Sequence, residues 1–209
     1  MAAHPPAAQL VTCDMTISLD GYTGGLHHPS EGFMRIMEWA HHAYAWRSRQ
    51  NMKGGDRNRD SDMIEEVFQS AGAYVMGRRM FDAGEEPWGS EPPFHAPVFV
   101  LTHRPRDPVV RGGGTIFHFV TEGLVHALDL ARAAAKARNV AISGGADTVR
   151  QAIDAGLLDI LRIHVAPVLL GGGTRLFDGL ERRITELEPV DAWSSERVSH
   201  LIYRVAKAA

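Results

Sequence analysis

The sequence has 209 residues, a formal net charge of −3, 44% hydrophobic residues and 22% charged residues. This globular composition disfavours disorder throughout the chain and fibrous repeats, and the slight acidity disfavours a nucleic-acid-binding protein. The single cysteine, Cys13, excludes an intrachain disulfide and a zinc site built on several cysteines.

The hydropathy pattern predicts one cytoplasmic domain. Residues 1–9 lack the basic start and apolar stretch of a secretory signal, and no run of about 18 apolar residues indicates a membrane span. We therefore expect a disordered tail over 1–9 and a single domain over 10–207. Residues 48–62 are polar and predict a mobile surface loop, within a lid-like insertion at about 23–62.

Strand and helix signals alternate along the chain. A β-rich stretch at 10–19 ends at the turn signal Asp20-Gly21, and apolar residues at helical spacing follow over 33–49 and 62–71. The remaining predicted strands are 74–76, 97–102, 115–120, 139–143, 161–169, 185–190 and 197–205, and the remaining predicted helices are 122–138 and 147–155. This alternation favours an α/β fold, with a mixed, mostly parallel sheet, helices on both faces and an antiparallel C-terminal edge.

Glycine is abundant, with 21 residues, and Gly144-Gly145 is the most informative pair. It joins an apolar strand to a predicted helix, where glycine permits a sharp turn and a close approach of a ligand to the backbone. The unpaired N–H groups at a helix start bind phosphate well. A tight strand–helix turn without a ligand is the alternative. The G-x-G-x-x-G and Walker A patterns are both absent, which disfavours an ordinary Rossmann dehydrogenase and a P-loop nucleotidase.

Two further strand ends carry phosphate-binding chemistry. One strand ends at Gly77-Arg78-Arg79, and the next ends at Thr102-His103-Arg104. Guanidinium groups suit bidentate recognition of phosphate. Since ligands bind at the carboxyl ends of parallel strands, these segments are expected to converge on one crevice. Each segment taken alone is also typical of a solvated loop.

Five segments in order, 16–21, 75–80, 98–103, 143–147 and 163–171, resemble the dihydrofolate reductase-like superfamily. More narrowly, they resemble the C-terminal reductase domain of the bifunctional riboflavin-biosynthesis deaminase-reductase and its stand-alone bacterial relatives. The resemblance implies a three-layer fold, NADPH as cofactor, a small-molecule substrate and a homodimer. It places NADPH across the carboxyl ends of the central strands. The residues implied to bind it are Ile17, Gly77, Arg78, Arg79, Thr102, His103, Arg104, Ser143, Gly144, Gly145, Ala146, Asp147, Leu170 and Gly171.

The substrate side is expected around Asp20, Ser18 and Trp88. Hydride transfer to a C=N or C=O bond requires a proton, and Asp20 is the first candidate to supply it, directly or through a bound water. The alternative is that Asp20 only shapes the Asp-Gly turn. Trp88 could stack on a heteroaromatic ring, although a tryptophan after proline is more often a packing anchor.

Three functions remain open. The first is an NADPH-dependent reductase of a pterin- or ribosylaminopyrimidine-like heterocycle, the second is a true dihydrofolate reductase, and the third is a catalytically silent NADPH-binding module. The deaminase activity of the bifunctional enzyme needs a cysteine-rich zinc site, which a chain with one cysteine excludes. Glu31 and Glu38 border the first predicted helix, but neither aligns clearly with the acidic residue of dihydrofolate reductases.

The histidines are not expected to bind a metal. Adjacent histidines in a helix, such as His41 and His42, point in different directions, and the pair His27-His28 lacks a supporting carboxylate pattern. His118 and His164 alternate with apolar neighbours in predicted strands, so we expect both at a surface or an interface.

Overall fold

The computed structural model describes residues 9–25, 29–181 and 184–207. Within these residues the strands are β1 (Val11–Ser18), β2 (Ala71–Gly77), β3 (Val98–Leu101), β4 (Val109–Val110), β5 (Ile116–Val120), β6 (Asn139–Ile142), β7 (Ile160–Ala166), β8 (Leu187–Ser194) and β9 (Ser199–Val205). The helices are α1 (Pro29–Ile36), α2 (Glu38–His42), α3 (Tyr44–Arg49), α4 (Arg59–Ser70), α5 (Arg78–Gly84), α6 (Leu124–Ala135) and α7 (Ala146–Asp154). Of the predicted disordered tail over 1–9, residues 1–8 lie outside the described residues, and the Gln9 side chain donates to the carbonyls of Arg132 and Lys136.

All of these strands form one sheet, in the order β4-β5-β3-β2-β6-β1-β7-β9-β8. The six strands from β5 to β7 run parallel, and β9 and β8 continue the sheet antiparallel to them. The prediction of a mostly parallel sheet with an antiparallel C-terminal edge is confirmed. The short strand β4 adds an unpredicted antiparallel pairing at the opposite edge.

One face of the sheet is covered by α6 and α7. Successive strand residues point to opposite faces, so the alternate residues Cys13, Met15 and Ile17 of β1 enter a core that also contains Leu128 of α6 and Val149 of α7. Cys13 is completely buried. Burial, and secondarily the charge of Asp14, raise the pKa of its thiol.

The other face is covered by two separate groups of side chains. Helix α5 lies over β2, β3 and β5 with an aromatic cluster that includes Tyr74, Phe81, Phe94 and Phe117. The segment 29–70, which contains α1 to α4, packs around the buried side chain of Trp39. The sheet therefore has helices on both faces, as predicted.

The segment 29–70 differs from the predicted single helix over 33–49. Residues 29–49 form three short helices, α1 to α3, and α2 is separated from α3 at Ala43, which is extended, with φ −71° and ψ 134°. Asp56 lies beside this break. Its carbonyl accepts the Tyr44 N–H at 2.9 Å, and its N–H donates to the carbonyl of His42. The predicted loop over 48–62 ends in the first turn of α4, where Asp60 and Ser61 are buried. None of the helices in the described ranges is long and apolar enough to cross a bilayer.

Candidate active site

The predicted site residues lie along one edge of the sheet. The carboxyl ends of β3, β2, β6, β1 and β7 are neighbours in the sheet, and each is followed by one of the predicted segments. The structure therefore brings together the ends that carry Thr102, Gly77, Ser143, Ser18 and Leu170. Trp88 is the one predicted site residue that does not follow a strand end.

The pair Gly144-Gly145 forms an open turn before α7. Gly144 has φ +96° and Gly145 has φ +22°, conformations that favour glycine. Gly145 is the N-cap of α7 and supplies no side-chain cap, and a Cβ built on it would meet no atom within 4 Å. The first N–H groups of α7 are therefore available to an anion at this point.

Gly77 brings the end of β2 against this turn. Its N–H donates to the carbonyl of Gly144 at 3.0 Å, and a Cβ at Gly77 would lie 2.9 Å from Thr148 Oγ1 of α7. The close approach requires glycine here. Two of the predicted phosphate-binding segments are consequently in direct contact.

The basic side chains at this edge differ in their contacts. Arg78 donates through Nε to Asp82 at 2.6 Å, and its guanidinium lies 5.6 Å from the centre of the Phe119 ring. Arg79, His103 and Arg104 are exposed. This exposure leaves their charge and hydrogen-bonding groups accessible from the strand edge.

Thr102 and Asp147 play local roles in the turns. The Thr102 side chain is buried, and its Oγ1 accepts the Arg104 N–H at 3.0 Å, which shapes the turn after β3. Asp147 is exposed in the first turn of α7, where its carboxylate accepts a hydrogen bond from Gln151 at 2.9 Å. Thr102 thus sets the backbone of the turn after β3, whereas Asp147 contacts a side chain of its own helix.

Asp20 connects the end of β1 to the loop after β7. Its carboxylate accepts the N–H groups of Leu170 at 3.1 Å and Gly171 at 2.8 Å, and the hydroxyl of Ser18 at 2.6 Å. The Ser18 hydrogen bond, followed by the two amides, lowers the pKa of Asp20 to about 2. A carboxylate with this pKa holds no proton at neutral pH, so its own contacts identify it as a positioning group.

Ser18 is part of the same arrangement. It is completely buried, and its hydroxyl accepts the Tyr22 N–H at 2.9 Å while donating to Asp20. Ser18 therefore stabilises the turn through its buried hydroxyl, which is not exposed to a substrate. Ile17, which precedes it, is buried on the opposite face.

A short backbone pairing between residues 21–23 and 174–176 extends the connection made by Asp20, and it was not predicted from the sequence. The Thr23 N–H donates to Thr174 at 2.9 Å, and the Leu176 N–H donates to Gly21 at 3.0 Å. The Arg175 guanidinium lies 4.9 Å from the centre of the Tyr22 ring. The only signal in the sequence was the pair of β-forming residues, Tyr22 and Thr23, directly after the Asp-Gly turn.

Trp88 packs inside the aromatic cluster. Its ring is parallel to that of Phe117, with centroids 5.9 Å apart, and meets Phe94 edge-on at 5.0 Å. A Cβ at Gly84 would lie 2.3 Å from the indole, so the ring fills the space above that glycine. This placement fits the packing interpretation of Trp88 rather than a substrate wall.

His118 and His164, which were both expected at a surface or an interface, differ in their burial. His164 was expected at a surface or an interface, but it is 3% exposed and lies 2.8 Å, Nδ1 to Nδ1, from the completely buried His200. The surface expectation was wrong because the side chains of His200, from β9, and Trp39, from the segment 29–70, cover this face of β7. His118 is half-buried and stacks on Phe99.

The histidines were not expected to bind a metal. In the described ranges, no group of three or more histidine, cysteine, aspartate or glutamate side chains could hold a metal ion. His42 uses Nδ1 to contact the Glu38 carbonyl at 2.8 Å, and His41 lies beside Trp46. His27 and His28 lie outside the described residues.

Comparison with known proteins gives one family. The sequence matches the RibD C-terminal domain family over residues 9–201. No protein of curated function matches it significantly.

Solved structures agree on the fold. A putative riboflavin biosynthesis protein from Shewanella sp. PV-4 is 21% identical, with a TM-score of 0.70 over 95% of this chain and 100% of that one. A riboflavin biosynthesis reductase from Saccharomyces cerevisiae is 11% identical, with a TM-score of 0.60 over 98% and 93%. A deaminase/reductase from Thermotoga maritima is 12% identical, with a TM-score of 0.61 over 95% of this chain but 57% of that longer one. These likenesses confirm the dihydrofolate reductase-like fold.

Proposed function

Because the chain belongs to the RibD C-terminal domain family, we propose that it is a reductase that transfers a hydride from NADPH to a C=N or C=O bond of a small pterin- or ribosylaminopyrimidine-like heterocycle. The observation that carries the proposal is the row of predicted segments along five adjacent strand ends. Ligands of open α/β sheets bind in this position.

The residues at this edge fit a phosphorylated dinucleotide. The open space at Gly145 and the uncapped start of α7 suit the pyrophosphate. The exposed side chains of His103 and Arg104 suit the additional phosphate that distinguishes NADPH from NADH. Bound NADPH supplies the hydride, and the protein supplies position and electrostatics.

The chain's own contribution near the reacting ring is positional. Asp20 holds the backbone of Leu170 and Gly171 against the end of β1, so the two sides of the nicotinamide position keep a fixed separation. Such fixed geometry matters because hydride transfer requires reacting atoms about 3–3.5 Å apart. The ionised Asp20 can orient a water molecule, which relays a proton from the solvent to the reduced bond as it receives the hydride.

Cofactor binding and turnover test this proposal separately. We expect wild-type protein to bind NADPH more tightly than NADH in a fluorescence titration, and Arg104→Ala to reduce that preference about tenfold, or 1.4 kcal/mol, while NADH binding is unchanged. Arg132→Ala, on the exposed part of α6, is the matched control. Equal affinity of the wild type for the two cofactors would contradict the assignment.

Turnover separates the three functions that the sequence left open. NADPH oxidation is followed with ribosylaminopyrimidine, pterin and dihydrofolate substrates. Oxidation with the first two supports the proposal, and methotrexate-sensitive oxidation with dihydrofolate supports a dihydrofolate reductase. Tight NADPH binding without turnover on any of them supports a silent binding module.

We also propose that the protein acts as a cytoplasmic homodimer. Strand β8 is an edge strand, and its residues Leu187 and Val190 are 39% and 56% exposed. Apolar side chains exposed on an edge strand are suited to burial against a second copy. Light scattering is expected to give a dimer for wild-type protein and a monomer for Val190→Glu, and a wild-type monomer at micromolar concentration would count against the proposal.

A further inference from the structure

A chain of four titratable side chains crosses the buried contact between the segment 29–70 and the sheet. Asp60 of α4 contacts His200 of β9, with Oδ1 3.2 Å from Nε2. His200 contacts His164 of β7 at 2.8 Å between their Nδ1 atoms. His164 Nε2 in turn faces Asp14 Oδ1 of β1 at 3.7 Å. This chain, Asp60–His200–His164–Asp14, is separate from the strand-end site.

The two imidazoles are shielded from water. His164 and His200 are 3% and 0% exposed. The Trp39 ring lies 5.0 Å from each of them, and the Trp193 ring stacks on His200 at 4.5 Å. Since a buried polar group must keep its hydrogen bonds to offset desolvation, the positions of the protons in this chain are tightly constrained.

The contacts determine how many protons the pair holds. A carboxylate only accepts hydrogen bonds, so the His200 Nε2 that faces Asp60 carries a proton. The Nδ1–Nδ1 contact needs one proton and has no room for two. The Nε2 atom of His164 lies 3.7 Å from Asp14 Oδ1, beyond hydrogen-bond distance, and has room for one further proton. The arrangement therefore accommodates at most three protons on two rings, which is at most one positive charge.

Other charged groups surround the two imidazoles. Arg162 contacts Asp14 at 3.2 Å, so a guanidinium lies beside the carboxylate that faces His164. The other charged group near His200 is Arg59, which lies over Trp193 and pairs with Asp191 at 2.7 Å. Burial favours a neutral Asp14, but the interactions with His164 and Arg162 outweigh it and lower the pKa of Asp14.

We propose that His164 and His200, whose contacts leave room for at most one positive charge, form a pH-sensitive latch that fastens the segment 29–70 to the sheet. One end of the latch, Asp60, lies in that segment, and the other groups lie in β1, β7 and β9. A second positive charge on the pair would place two N–H groups head to head across 2.8 Å. The rings would then separate, and the segment would lose its buried polar contact.

The pKa of His200 indicates the pH range in which the latch opens. Burial, followed by the charge of His164, lowers the pKa of His200 to about 4, whereas a free histidine has a pKa of about 6.5. As the pH falls, the histidine exposed by opening therefore binds its proton at a higher pH than His200 does in the closed structure. Between these two values the opening equilibrium is expected to rise roughly tenfold per pH unit.

Histidine NMR on ¹⁵N-labelled wild-type protein tests the arrangement of protons directly. At pH 7 we expect His200 to be neutral with its proton on Nε2, and a scalar coupling to connect the two Nδ1 atoms. A charged His200 at pH 7, or the absence of this coupling, would overturn the proposal without any substitution.

Hydrogen exchange tests the latch. Amide protection of α4, corrected for the intrinsic exchange rate at each pH, is expected to fall between pH 6.5 and pH 4 in wild-type protein while the strands keep theirs. His200→Gln can still donate to Asp60 and accept from His164 but does not titrate, so it should remove this pH-dependent step. His118→Gln, which changes a half-buried histidine on β5, should retain it. The same pH-dependent loss in His200→Gln as in the wild type would refute the latch.

Discussion

The Gly171 N–H donates to the carboxylate of Asp20 at 2.8 Å, which ties the loop after β7 to the turn after β1. The two residues are separated by 151 positions in the sequence, yet they lie at adjacent strand ends because β1 and β7 are paired. The geometry of the proposed reaction centre therefore depends on a contact between two distant parts of the sequence.

Replacing Asp20 should disturb this geometry without unfolding the protein. Asp20→Asn keeps one acceptor oxygen but cannot hold both amides and the Ser18 hydroxyl. We expect kcat/KM for NADPH oxidation to fall about 10- to 100-fold, since small misplacements of the reacting groups have effects of this size. Steady-state kinetics and circular dichroism measure the two properties.

The control for Asp20 is Asp129→Asn, which removes an exposed carboxylate from α6. This variant should have wild-type kinetics. Unchanged kcat/KM in Asp20→Asn would show that the connection between the two loops has no role in turnover.

Gly145→Ala tests the phosphate position. The positive φ of +22° makes alanine strained here, so the free energy of unfolding should fall by about 1–3 kcal/mol. The new methyl group points into the space assigned to the pyrophosphate, and NADPH affinity should also fall about tenfold or more. Urea denaturation and fluorescence titration measure the two effects.

Gly114→Ala is the matched control for this substitution. Gly114 also has a positive φ, +82°, with open space around its Cβ position, but it lies in the connection between β4 and β5. It should lose stability and keep its NADPH affinity. Equal loss of affinity in the two variants would remove the phosphate assignment from Gly145.

Trp88→Ala distinguishes packing from substrate contact. Because the indole packs against Phe94 and Phe117, its removal should lower the free energy of unfolding by about 3 kcal/mol. The KM for the heterocycle should not change at a temperature where the variant is folded. Thermal unfolding and steady-state kinetics measure the two effects, and a raised KM with unchanged stability would restore Trp88 to the substrate side.

The pH dependence of global stability follows from His200. Its pKa is about 4 in the folded protein and about 6.5 in an unfolded chain. The unfolded state thus binds the proton first as the pH falls, so the free energy of unfolding should decrease from pH 6.5 towards pH 4, by at most about 1.4 kcal/mol per pH unit. This group should contribute no change above pH 7.5.

Urea unfolding of wild-type protein and His200→Gln at pH 7.5, 6 and 5 isolates that contribution. The variant should show a flatter profile, with the difference largest at pH 5. Two parallel profiles would mean that His200 titrates alike in the folded and unfolded states.

The strand-end segments could be predicted from the sequence because their signals are local. An apolar strand followed by glycine and a helix pattern identifies Gly77 and Gly144 without knowledge of their partners. The connection from Asp20 to Gly171 could not be predicted this way, because it depends on which strands are neighbours. The family resemblance implied that Gly171 binds the cofactor, and Asp20 was expected on the substrate side, but neither expectation gave a contact between them.

The burial of His164 was mispredicted for a related reason. Alternation along β7 correctly places His164 on the opposite face from Ile163, but it does not reveal whether that face is covered. Two distant segments cover it here, and the break at Ala43 that allows one of them to fold back depends on a hydrogen bond from Tyr44 to Asp56. Non-local pairings of this kind leave no periodic signal in the sequence.

The complete burial of Cys13 has a practical consequence. A thiol reacts as its thiolate, and this one is both inaccessible and held in its neutral form. The folded protein should therefore be inert to maleimides, so a cysteine introduced at an exposed position such as Lys53 can be labelled on its own. A fluorophore or spin label placed there would report the movement of the segment 29–70 in the otherwise unmodified chain.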